Sequence, residues 1–234
     1  MSVAHVTAPV VSGPSEARLA FLRKVGIYTF VGLTLTALVA IVSTFTVVPL
    51  LLRVPFGAMI GVFGAFLFSH ILCRQMVFGS MKVPGFVLGM VGEGFSFGFL
   101  LFLTVFGFGD LAMAEGVGVV VKAMAITAAS GAGLLAYVWF NKSDLSLVKA
   151  GLSVLGIPML LLMVLQLFLP MGGTLGLILC AGFVLFSGAA LLYKLHVVVH
   201  EMDEDMHIEA AFEITMALLV LLWNVISLLN RLRR

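Results

Sequence analysis

The apolar residues of this chain neither alternate nor keep to one helical face. They run in long blocks separated by short polar clusters, at 25–52, 54–72, 83–108, 115–138, 148–169, 174–198 and 208–229. Most blocks reach the roughly 20 residues that a helix needs to cross about 30 Å of hydrocarbon. Lipid offers the backbone no hydrogen-bond partners, so a spanning segment closes its bonds internally as a helix. A β-barrel would show short alternating segments instead. The pattern predicts an all-α polytopic membrane protein with seven spans.

The first two blocks are parted only by Pro49, Arg53 and Pro55. The last is cleanly apolar only from Ile214 to Leu229, with Glu209 and Glu213 ahead of it. It reads as a full crossing in preference to a segment that enters and returns. Residues 1–17, with Pro9, Gly13 and Pro14, read as a short disordered arm, and 18–234 as the membrane domain. Gly57, Gly61 and Gly64, then Gly85, Gly89, Gly92 and Gly94, recur mostly at three and four and give smooth faces for close helix contact. Glycine is also simply common in membrane helices.

Composition strengthens this reading. Hydrophobic residues make up 62% of the 234 and charged residues 10%, too little polar surface for a soluble domain. A net charge of +2 leaves no basic stripe for nucleic acid. Cys73 and Cys180 form no CxxC and no disulfide framework. No nucleophile elbow, phosphate loop or dinucleotide fingerprint is present, so neither an enzyme nor a cofactor is expected. HEMDEDMH, His200–His207, matches no calcium loop or zinc motif and reads as a solvated acidic loop.

Short-loop cations orient the chain. With the N-terminus inside, Arg18, Arg23, Lys24, Arg74, Lys82, Lys142 and Lys149 all face the cytoplasm. Arg231, Arg233 and Arg234 disagree, since seven crossings put them outside. Charges at membrane depth mark candidate sites. Glu93 lies about 15 Å into its span and reads either as a proton or cation site or as a structural carboxyl bonded to a neighbouring helix. Lys122 either pairs with Glu93 or snorkels to the interface. Lys194 and Glu213, at similar depth on the last two spans, form a possible fixed latch, with Asn224 on the same pair of helices.

ARLAFLRKVGIYTFVGLTLTALVA, NKSDLSLVKAGL, GFVLFSGAALLYK and IEAAFEITMALLVLLWNVISLL, in that order and spacing, resemble the Bax inhibitor family from about Arg18 to the end. The resemblance implies a seven-helix bundle with the last helix central and, in members with an assigned activity, a pH-dependent calcium leak. Eukaryotic members are linked to suppression of cell death, and some bacterial ones to a membrane-bound ATP-dependent protease. Where the family often carries two pH-sensing aspartates, this chain has Lys194 and Leu221. The expected function is a pH-influenced leak of calcium or protons, with Glu93, Lys122, Lys194, Glu213 and Asn224 as candidate pore residues. The alternative is a non-conducting regulator or scaffold that acts through membrane protein partners. The bacterial inner membrane is the expected location, with the endoplasmic reticulum as the alternative.

Overall fold

A computed structural model describes residues 16–106, 113–141, 145–168 and 173–233. In chain order the helices are α1 (Glu16–Phe45), α2 (Val47–Leu51), α3 (Pro55–Leu67), a π-helical turn (Phe68–Cys73), α4 (Arg74–Phe78), α5 (Lys82–Phe106), α6 (Met113–Phe140), α7 (Ser146–Phe168), α8 (Gly173–His200) and α9 (His207–Leu232). No strand occurs among the described residues. The arm expected at 1–17 lies outside them except for Glu16 and Ala17, which open α1.

The expected bundle of seven spanning helices is corrected. Among the described residues six helices are long and apolar enough to cross a membrane: α1, Ile60–Phe78, α5, α6, Gly173–Glu201 and α9. The block expected at 148–169 is not among the six: among the described residues it supplies only the shorter apolar helix Ser146–Met159. Pro158 also stands inside α7 and removes a backbone donor there.

The first span starts earlier than its apolar block. The Arg18 guanidinium donates to the carbonyls of Val198 (2.6 Å), Val199 (3.1 Å) and Met202 (2.6 Å), and so ties the first turn of α1 to the end of α8. A cation at a helix C-terminus also offsets the partial negative charge there.

α1 and α5 form the most extensive helix pair, and they run parallel. Thr36 donates to the Met90 carbonyl, Ser43 to that of Gly94 and Thr44 to that of Gly98, a nearly constant separation in sequence. The approach is close enough that a Cβ on Gly94 would lie 2.6 Å from Val39 Cβ and 2.8 Å from the Thr36 carbonyl oxygen. α9 also runs parallel to α5, from Lys82 beside Glu209 to Thr104 beside Asn230. It contributes to both hydrophobic cores: Phe212 and Met216 with Phe21, Val25 and Phe86 at one end, and Leu221 and Ile226 with Phe97 and Leu191 further along.

Candidate functional site

The acidic side chains of α5 and α9 face three sets of basic groups. Glu93 is 1% exposed on α5, opposite the π-helical turn. Five-residue bonding there shifts the helix register and directs His70 inward. His70 Nδ1 lies 2.9 Å from Glu93 Oε1 and 3.2 Å from the carbonyl oxygen of Phe66, on whose ring the imidazole stacks. Hydrogen-bond geometry favours the carbonyl, leaving Glu93 Oε1 close to the ring without a directed donor. Both groups open onto a cavity of about 370 Å³ between the π-helical turn, α5, α7, α8 and α9. Asn224, Ser227 and Cys180 share its wall, and Trp223 closes it against Phe97. Asn224 Nδ2 donates to the Phe183 carbonyl at 3.4 Å.

About two turns closer to the α1 N-terminus, Glu213 is clamped from two sides. Arg74 Nε reaches Oε1 at 2.5 Å and Lys194 Nζ reaches Oε2 at 2.7 Å, so one carboxylate joins α4, α8 and α9. One turn further, Lys82 Nζ meets Glu209 Oε1 at 2.5 Å, and the other Glu209 oxygen is buried with no donor. Burial on this scale is tolerated because each carboxylate keeps a cation within contact distance.

Of the residues singled out from sequence, Lys194 and Glu213 are brought together. Glu93 and Asn224 line one cavity. Lys122 is exposed and does not meet Glu93, which faces His70 instead. Sequence reasoning missed His70, Arg74, Lys82 and the partnering of Glu209. Arg74 and Lys82 had been assigned to a loop, whereas both belong to helices. Acidic residues four apart on one helix, Glu209 and Glu213, were the available signal that one face of α9 meets cations.

The His200–His207 segment holds no group of three potential metal ligands among the described residues. His196 Nε2 lies 3.7 Å from Glu201, and His200 Nε2 lies 3.1 Å from the Val138 carbonyl oxygen of α6. Lys142, Asp110 and Arg234 lie outside the described residues.

Residues 18–234 match the family described as Inhibitor of apoptosis-promoting Bax1. No curated protein matches the chain.

Proposed function

This chain belongs to the family of inhibitors of apoptosis-promoting Bax1, and from that premise we propose that it is a pH-influenced cation leak in which protons are the favoured cargo. The observation that carries the reading is Glu93, buried beside His70 on the wall of a cavity between five helical segments. A carboxyl and an imidazole within 3 Å can exchange a proton, and histidine is the side chain suited to that role near neutrality. Calcium fits this cavity poorly. It takes six to eight oxygen ligands, and among the described lining residues the side-chain oxygens come from Glu93, Asn224 and Ser227. The clamp at Glu213 adds two cations to one anion on the way from the cavity to the α1 end, which repels a divalent ion.

That surplus positive charge also favours a second reading, a non-conducting regulator whose clamp holds the bundle shut and which acts through protein partners in the bilayer. Purified protein in sealed vesicles, loaded with a pH dye or a calcium dye and given a pH step, separates the two. The leak reading expects proton flux without calcium flux, and a fall of roughly tenfold or more in Glu93→Gln. It also expects Lys194→Asp to admit calcium by removing the repelling ammonium. Absence of flux of either ion at every pH would leave the regulatory reading standing.

A further inference from the structure

α1 packs on α5 and α9, and α6 on α5, α8 and α9, but no comparable packing joins α1 to α6. Between them lies a groove of about 300 Å³, floored by α8 and α9. Its walls include Leu22 and Gly26 on α1 and Ala128, Gly131 and Trp139 on α6. Small residues keep the space open, and a Cβ added at Gly26 would meet nothing within 4 Å. Only Thr29 and Trp139 bring polar side-chain atoms to the lining, so the groove suits hydrocarbon. It opens sideways, since Leu135 and Trp139 on its rim are 43% and 38% exposed.

The groove has a direction. Trp139 and Leu22 stand at the end where Arg18 meets α8, and Thr29 and Ala128 stand deeper. From Trp139 to Ala128 is about 16 Å along α6, close to half of the roughly 30 Å hydrocarbon core, or one leaflet. At the shallow end Arg23 follows Leu22, exposed and with no acidic partner among the described residues. Long basic side chains reach along apolar surface to place their charge at headgroup level, and tryptophan favours the same depth.

We propose that this groove holds one acyl chain of an anionic phospholipid, with the headgroup phosphate against Arg23. The site is separate from the Glu93 cavity, and its occupancy does not depend on whether the protein conducts.

Native mass spectrometry of the full chain in detergent, supplied with equal phosphatidylglycerol and phosphatidylcholine, tests it. The wild type is expected to retain one phosphatidylglycerol in preference to phosphatidylcholine. Gly26→Phe and Ala132→Leu, which fill the groove from opposite walls, are expected to lose it while circular dichroism shows the helical content unchanged. The variant Arg23→Gln leaves the groove intact, and its preference for phosphatidylglycerol is expected to fall roughly fivefold. Equal retention of both lipids by the wild type, or an undiminished preference in Arg23→Gln, overturns the proposal. So does retention that survives in a folded groove-filling variant, or a dimer in place of the lipid-bound monomer.

Discussion

Glu209 and Glu213 stand one turn apart on α9, yet they depend on their cations differently. Glu213 has two, from α4 and α8, and keeps one when the other is removed. Glu209 is 2% exposed and has Lys82 at one oxygen and no donor at the other. Lys82→Met is therefore expected to lower the melting temperature more than Arg74→Met does, because it strands a buried carboxylate. Arg74→Met should cost under about 1 kcal/mol, since the arginine is more than half exposed. Thermal unfolding in detergent measures both, and equal losses would contradict the assigned dependence. Sequence could pair Lys194 with Glu213 because hydropathy gives depth, and both lie at similar depth. It could not give the direction in which a side chain points around its helix. Pairing with Lys122, an exposed residue on α6, is consequently as readable for Glu93 as snorkelling of that lysine, while His70, which a local π-helical register turns inward, gives no sign in the sequence.

At the scale of elements, the α1–α5 contact is set by small residues and hydroxyls. Gly94 lets the α1 backbone come within reach, and Thr36, Ser43 and Thr44 use that proximity to donate across the interface. A methyl at Gly94 would strike both the Val39 side chain and the Thr36 carbonyl. Gly94→Ala is expected to destabilise by about 1–3 kcal/mol through overpacking. Gly118→Ala, where a Cβ meets nothing within 4 Å, should leave the melting temperature unchanged or raise it, because alanine is the better helix former. Matching losses in the two variants would remove close packing as the explanation. The glycine spacing on α5 was readable in the sequence, but its partner was not. Spacing describes one surface, and nothing in it says which of several apolar helices will cover that surface.

For the whole molecule, the helical class and most of the spans were legible because continuous apolar runs admit one solution in lipid. The number of spans was not. The block at 148–169 is apolar in sequence, but among the described residues it supplies only the shorter apolar helix Ser146–Met159. α9, whose acidic first turns made a re-entrant segment conceivable, runs the length of α5 without a break. Its acids are accommodated because cations from α4, α5 and α8 meet them at one end of the bundle. A continuous α9 places its two ends on opposite sides of the membrane. Cys73 and Cys180 are buried and give little background to thiol labelling. An impermeant maleimide applied to sealed vesicles should therefore react with Asp203→Cys and Leu232→Cys from opposite sides. Labelling of both from one side would mean that α9 turns back.

The parallel course of α1 and α5 bears on how the chain is made. Two parallel helices cannot be neighbours along the chain, so α1 leaves the ribosome well before the surface that covers it. Through the synthesis of everything up to Phe106, Thr36, Ser43 and Thr44 lack their acceptors on α5. During that interval the face of α1 that α5 later covers must be shielded by lipid or by the insertion machinery, and a nascent chain halted after Phe78 still presents that face uncovered.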